Sequence, residues 1–482
     1  MTAKAQTREK DLSGFNNQVG FLKINTLRTA SLNEHRHHDD EHLQNEFMTG
    51  TFKLLSALLI SLLFISCSPR GGLFGKKSPH DQYAKKLTDA GLDKTSLGVS
   101  WFTAAVNALN RPLAINIPFK EVGYFAGETP KAAGYSFPVK KGEVLVTQIQ
   151  IHPAGSANLF IDLWHKSGND DPKYIASSDT STLVLRQEID EDGNYILRLQ
   201  PELLRGIQYT LTITTEPSLA FPVRSHDQPR TSSFWGAARD GGTRSHEGID
   251  IFAKRGTPAI AGAGGRVTRV NENNLGGKVV FMRPAGKNYS LYYAHLDSQI
   301  VKEGDRVETG DTIGFIGNTG NARTTPPHLH FGIYSARGAV DPFPFVNANR
   351  PQPKEVTVLL RELNSIARTT NSTGLLTSLI DKKAAMRLSP HTLVRIVGAT
   401  DGWYKISTPD GDEGYADRNS ISPTVYRNAT IQSSRPLFDR PDSLSAIITQ
   451  IQPSSEVEIL GMYNGFQYVK KGNVAGWMVV DR

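Results

Sequence analysis

His246-Glu-Gly-Ile-Asp250 and Pro327-His-Leu-His-Phe331 decide how this chain is read. The first sets an imidazole and a carboxylate four residues apart, with Gly248 between them. The flanking Gly241 and Gly242 and the β-branched Ile249 and Ile251 disfavour a helix. In a straight strand, residues i and i+4 share a face but lie about 13 Å apart, too far to share one ligand. The chain must therefore bend, and Gly248 permits it. The second stretch runs on as Phe331-Gly-Ile-Tyr334 and reads as a strand. There His328 and His330 point to one face about 6.6 Å apart, with Leu329 in the core behind them. A third element, Tyr293-Ala-His295-Leu296, closes another strand-like run that starts at Ser290.

These residue types suit a metal. Three protein ligands and one open position make a catalytic zinc site. His246, Asp250 and one of the pair His328/His330 supply such a set, and spacing leaves open which of the two it is. The remaining two histidines are then placed as general base and transition-state stabiliser. Zinc lowers the pKa of its water to about 7, which provides a nucleophile for an amide carbonyl at neutral pH. No His-Glu-x-x-His helix is present, so a thermolysin-like arrangement is excluded. A single histidine is more often a core or surface residue. Three such elements in order within one Gly-rich β segment point to one site, with one zinc per chain.

Composition bounds the rest. At roughly 150 residues per domain, 482 residues predict about three domains. Charged residues are 21%, so the chain as a whole is not of the disordered class. The net charge of +7 comes without an arginine-rich block, which argues against a nucleic-acid partner. An anionic membrane surface or cell-wall polymer fits a mild positive charge. There is one cysteine, Cys67, which rules out an internal disulfide and a Cys-rich metal site.

Residues 1–47 are polar and patternless and read as an untranslated or disordered leader. Met48 begins a second start, with Lys53 and then an apolar run from Leu54 to Ile65. That run falls short of the roughly 20 residues a spanning helix needs and fits a signal-peptide h-region. It ends Phe64-Ile65-Ser66-Cys67, which resembles a bacterial lipoprotein signal over residues 48–67. The resemblance implies that Cys67 is lipidated and that the bilayer is a partner. Residues 68–112 read as a basic tether and a helical stem, with helices predicted over Asp81–Ala90 and Ser100–Leu109. Residues 113–221 hold alternating runs, Val144–Ile151, Leu159–Trp164, Leu183–Ile189, Tyr195–Leu199 and Tyr209–Ile213, and predict a β-sandwich with no acid–base constellation. It resembles sandwich domains that accompany secreted peptidases. Residues 349–356 read as a linker. Beyond it, Asp401-Gly-Trp-Tyr-Lys-Ile-Ser407 with Gly414-Tyr-Ala-Asp-Arg418 recurs as Asn464-Gly-Phe-Gln-Tyr-Val-Lys470 with Gly476-Trp-Met-Val-Val-Asp-Arg482. The repeat is similar to bacterial Src-homology-3-like barrels, placed at 357–424 and 425–482, which bind cell-wall peptides.

From about Arg224 to Phe345 the chain resembles the lysostaphin/LytM-type zinc endopeptidases, which cut bacterial peptidoglycan. The residues that carry it are Ser233-Phe-Trp-Gly-Ala-Ala-Arg239, His246-x-Gly-x-Asp250, Tyr293-Ala-His295-Leu296, Val301–Gly314, Gly317-Asn-Thr-Gly320 and Pro327-His-Leu-His-Phe331. The resemblance implies zinc on His246, Asp250 and His330, and catalytic roles for His295 and His328. It places a lysostaphin-type β-rich peptidase core at 222–348. The expected fold is thus mainly β and multidomain: helical stem, sandwich, peptidase and two small C-terminal barrels. The implied activity is hydrolysis of peptidoglycan crosslinks by an enzyme in the cell envelope, anchored in the outer membrane and facing the periplasm. Cell-wall or division proteins are further partners. The alternative is a non-catalytic LytM-like scaffold that activates other wall hydrolases. A third reading sees a lipoyl-type carrier hairpin in Val301–Gly314, but no motif-flanked lysine stands at a hairpin tip. Two departures from the family pattern, Thr324-Thr-Pro326 before Pro327 and Gly332 where many members have Glu, both border the cleft.

Overall fold

The computed structural model describes residues 77–480. The leader, the signal segment, Cys67 and the tether up to residue 76 lie outside the described residues. Among the described residues no helix is long and apolar enough to cross a membrane.

Two helices open the described chain, α1 (Pro79–Asp89) and α2 (Ser96–Asn110). Each starts where a hydroxyl caps its free amides. Ser78 accepts from the Asp81 N–H and Thr95 from the Gly98 N–H, and Pro79 fits the first turn of α1. Their shared face docks through Trp101, which is fully buried and donates its indole N–H to the Pro201 carbonyl at 2.9 Å. His80 stacks on Trp101 and bonds Gln200, so the stem is fixed to the sandwich by hydrogen bonds as well as apolar area.

Eight longer strands follow, β1 (Phe119–Phe125), β2 (Ala133–Val139), β3 (Glu143–His152), β4 (Leu159–Lys166), β5 (Lys173–Ser177), β6 (Val184–Glu188), β7 (Gly193–Pro201) and β8 (Ile207–Pro217). Strands β2-β7-β4-β5 form one sheet, with the two-residue strand Leu113–Ala114 beside β2, and β1-β8-β3-β6 lie in another. Tyr135, Leu145, Leu159, Leu197 and Leu211 share one core between them. Strand alternation puts every second side chain there, as the sequence predicts for five of the eight strands. β1, β2 and β5 have weaker alternation and were not predicted.

The peptidase-like region follows. Its sheet runs in the order β9 (Arg230–Ser233), β10 (Ile249–Phe252), β15 (His328–Ser335), β13 (Tyr289–Gln299), β12 (Gly277–Pro284), β11 (Gly265–Asn273), and β14 (Thr312–Ile316) pairs with β13. Ile249, Ile251, Tyr293, Leu329 and Phe331 bury one face. The opposite face carries the histidines. The expected linker is tied down: Arg350 pairs with Glu143 at 2.5 Å and Lys120 with Glu355 at 2.6 Å.

The two C-terminal units repeat one hairpin pattern. β16 (Leu393–Thr400), β17 (Trp403–Ser407) and β18 (Glu413–Asp417) correspond to β19 (Glu456–Tyr463), β20 (Phe466–Lys471) and β21 (Val474–Val479). The expected closed barrels are corrected here to open sheets. The cause in the first unit is a shared strand. One edge of β16 pairs with β17 along its length, and the other is divided: Leu393–Arg395 pair with Ile366–Arg368 of the same unit, while Ala399 and Gly398 pair with Val122 and Gly123 of β1. One eleven-stranded sheet therefore runs from the sandwich into the first repeat.

A buried polar cluster sits behind that junction. Glu121 is fully buried and accepts from the Lys405 ammonium at 2.5 Å, the Tyr135 hydroxyl at 2.6 Å and the Tyr415 hydroxyl at 2.7 Å. Tyr209 lies 3.1 Å away. Burial alone would lower the Lys405 pKa, but the Glu121 carboxylate holds it above its usual value. Removing one partner of a buried pair strands the other charge and costs about 3–5 kcal/mol. We expect Lys405→Met to lower stability by that order in thermal or urea unfolding. The double variant Glu121→Gln/Lys405→Met should recover a large part of it.

Candidate metal centre

Sheet register alone brings Asp250 and His330 together. They are directly opposed Cα partners on the antiparallel strands β10 and β15. Directly opposed residues share a face, so their side chains meet. His328, two residues before, lies on that same face and stacks on Phe252 with ring centroids 4.9 Å apart. His246 stands before β10 rather than in it, after a short hairpin in which Ala238–Arg239 pairs with Arg244–Ser245. The chain bends between them, and His246 Nε2 comes to 3.0 Å from Asp250 Oδ1.

Gly248 makes room rather than the bend. A Cβ there would lie 2.6 Å from the His330 ring and 2.7 Å from the Phe331 carbonyl oxygen. Its φ is not in the left-handed region, so the sequence-based reason for this glycine is replaced by close approach to His330.

His295 reaches the site by a bulge. Simple alternation would put His295 on the core side with Tyr293. In β13, however, Tyr293 pairs with Val280 and Leu296 with Lys278, so Ala294 and His295 together oppose Val279. His295 takes a left-handed conformation, φ 59°. The extra residue re-aims its ring to the face of His330, and Leu296 returns to the core. The ring centroids of His295 and His328 are then 5.0 Å apart.

Backbone carbonyls assign the tautomers. The Nδ1–H of His246 donates to the Phe234 carbonyl at 3.0 Å, that of His295 to Thr319 at 2.9 Å and that of His328 to Pro326 at 2.9 Å. In each case Nε2 is left with its lone pair free. The Gly317-Asn-Thr-Gly320 loop connects two of these histidines. Gly317 donates its N–H to the His295 carbonyl and accepts from the His328 N–H, and Thr319 supplies the carbonyl for His295 Nδ1. Gly320, at φ 70°, lets the loop close on Gly277.

The donor set fits a cation. His246 Nε2, His330 Nδ1 and Asp250 Oδ1 lie 3.0–3.1 Å from one another. With His246 Nδ1–H committed to Phe234, a lone pair of Nε2 faces a carboxylate oxygen, and that repulsion is relieved by a positive charge between them. Donor atoms of a tetrahedral zinc would lie about 3.3 Å apart, close to this triangle. Among the described residues this is the one group of three His, Cys, Asp or Glu able to hold a metal. Burial, helped by the nearby His328 and His330, pushes the His295 imidazole down to about 4. Burial also lowers His330, against the pull of Asp250.

Residues 244–342 match the description of Peptidase family M23. The chain carries an M23 peptidase domain. Residues 381–423 match a bacterial SH3 domain. The L-Ala--D-Glu endopeptidase of Bacillus subtilis is 38% identical over 141 residues, which is 27% of this chain and 43% of that protein. Peptidoglycan DD-endopeptidase ShyC of Vibrio cholerae is 41% identical over 91 residues, 19% of this chain and 20% of its own length. An uncharacterized lipoprotein of Escherichia coli, YgeR, is 35% identical over 24% of this chain and 43% of itself. The chain thus spans less than half the length of these curated relatives. Among solved structures, the catalytic domain of lysostaphin from Staphylococcus simulans is 32% identical, with 24% of this chain and 92% of that chain covered and a TM-score of 0.23.

All five predicted residues of the M23 domain meet on one face of its sheet. Sequence reasoning missed two of their supports. One is Thr319, whose carbonyl holds His295. The other is Arg239, which sits inside a quoted motif and contacts Asp250. We expect Gly248→Ala to weaken zinc binding about 10–100-fold, the usual range for disturbing a ligand's support. Competition against a chromophoric chelator reads this. The exposed Glu247 serves as control, and Glu247→Ala should bind zinc as the parent does.

Proposed function

We propose that the protein is a zinc-dependent endopeptidase that hydrolyses peptide crosslinks of bacterial peptidoglycan. The observation that carries this reading is the triangle of three metal-facing donor atoms beside two histidines whose Nε2 lone pairs are free. His246, Asp250 and His330 would hold the zinc, which supplies a Lewis acid to polarise an amide carbonyl when bound. His295 and His328 act as the proton-handling residues. Each is fixed by its Nδ1–H bond, so each presents Nε2 to the cleft as proton acceptor and, once protonated, as donor to a developing oxyanion. The low pKa of His295 keeps it neutral at pH 7, with Nε2 unprotonated. The relative named as a peptidoglycan DD-endopeptidase supports this substrate class. The complete ligand set leaves the scaffold reading without an observation in its favour.

Purified protein should release cleaved products from defined muropeptides, as read by mass spectrometry. Chelation should abolish cleavage, and zinc should restore it. His295→Ala should reduce the rate 10²–10⁴-fold, the range for loss of general acid–base help. If His295→Ala and His330→Ala both digest walls at the parent rate, the endopeptidase reading is wrong and the scaffold reading gains.

The same proposal places the protein in the cell envelope, lipid-anchored at Cys67 and facing the periplasm from the outer membrane. Its supports are the apolar run ending in Ser66-Cys67 and the likeness to a protein named as a lipoprotein. Cys67→Ser should move the protein from the membrane to the soluble fraction of fractionated cells. Retention of that variant at the membrane counts against lipidation.

A further inference from the structure

Asp250 divides its two oxygens between different partners. Oδ1 faces the metal locus, 3.0 Å from His246 Nε2 and 3.1 Å from His330 Nδ1. Oδ2 is turned away and accepts from Arg239 Nη2 at 2.6 Å. The same guanidinium nitrogen donates to Ser233 Oγ, also at 2.6 Å. Ser233 is the Cα partner of Asp250 across β9 and β10, and its Oγ lies 3.3 Å from His246 Nδ1. The Asp250 side chain is nearly buried, and that of Arg239 is 30% exposed. A charge-assisted bond of this length, on a carboxylate with little water around it, is of the strong kind.

We infer that Arg239 is a positioning residue that restricts Asp250 to one metal-facing oxygen. This rests on the zinc reading above. A carboxylate can bind zinc through one oxygen or two, and catalytic zinc sites keep a position open for water or substrate. With Oδ2 held by the guanidinium, the second oxygen is not available to fill that position. The positive charge of Arg239 also draws electron density from the carboxylate, so less of the metal's Lewis acidity is quenched. The short hairpin Ala238–Arg239/Arg244–Ser245 is what delivers this side chain. It ends on His246 itself, because the His246 N–H donates to the Ala237 carbonyl and the His246 carbonyl accepts from Gly236. One small element thereby sets both a ligand and the support of a second ligand.

The test compares zinc-loaded parent protein with Arg239→Ala and Arg239→Gln. Zinc content and X-ray absorption at the zinc edge are measured beside kcat and KM on a muropeptide. We expect all three to keep about one zinc per chain. Arg239→Ala should gain one oxygen neighbour at the metal, and its kcat should fall about 10–100-fold with KM nearly unchanged. Arg239→Gln keeps a neutral N–H donor and should fall between. Added guanidinium ion should restore part of the Arg239→Ala rate and return the absorption spectrum toward that of the parent. Loss of zinc from both variants would show a merely structural role and overturn the inference. So would an unchanged metal environment with full activity. A parent protein that binds no zinc is a different outcome, since it fails the zinc reading itself.

Discussion

The site depends on one register: Asp250 opposite His330 on neighbouring antiparallel strands. A slip of one residue would turn one of the two side chains into the core and Leu329 or Ile251 onto the surface. The buried Ile249, Ile251, Leu329 and Phe331 therefore specify the metal locus as firmly as the ligands do. Apolar burial fixes the register, and the register fixes the donor triangle. The remaining parts adjust to it. Gly248 leaves space for the His330 ring, and the Gly317–Gly320 loop supplies carbonyls that orient His295 and receives the His328 amide.

A lone pair of His246 Nε2 held 3.0 Å from the Asp250 carboxylate is unfavourable without a cation. The fold tolerates this because both groups are held from behind: His246 by the Phe234 carbonyl and Asp250 by Arg239. The cost of preorganisation is thus met by ordinary hydrogen bonds outside the cleft, before any ligand arrives. Two histidines that are not part of the triangle follow the same pattern, each with Nδ1–H anchored on a carbonyl and Nε2 turned inward.

Much of this was legible in the sequence. His328-Leu-His330 needs only strand alternation to place two imidazoles on one face, and His246-x-Gly-x-Asp250 announces a bend. The choice of His330 over His328 as the ligand came from family resemblance, and spacing could not have supplied it. His295 was found as a residue, but nothing in Tyr293-Ala-His295 signals the bulge that turns it to the cleft. The Glu121–Lys405 pair was invisible for another reason. Its members lie 284 positions apart, each in an unremarkable strand, so neither carries a local pattern. The same distance hid the joining of β1 to β16, and the barrels expected to close were found open.

That joined sheet changes what counts as a module in this chain. The first C-terminal repeat looks, by its sequence, like a unit that recombination could add or remove. In the folded protein it supplies both the neighbour for the edge strand β1 and the only ammonium among the groups bonded to Glu121. A chain that lost the repeat would expose a bare strand edge and leave a buried carboxylate without its cation. During synthesis the sandwich is likewise incomplete until almost the whole polypeptide has emerged, so long-range pairing comes late in its assembly. The sandwich and the first repeat thus make one sheet from two stretches of chain, with the M23 domain between them in sequence.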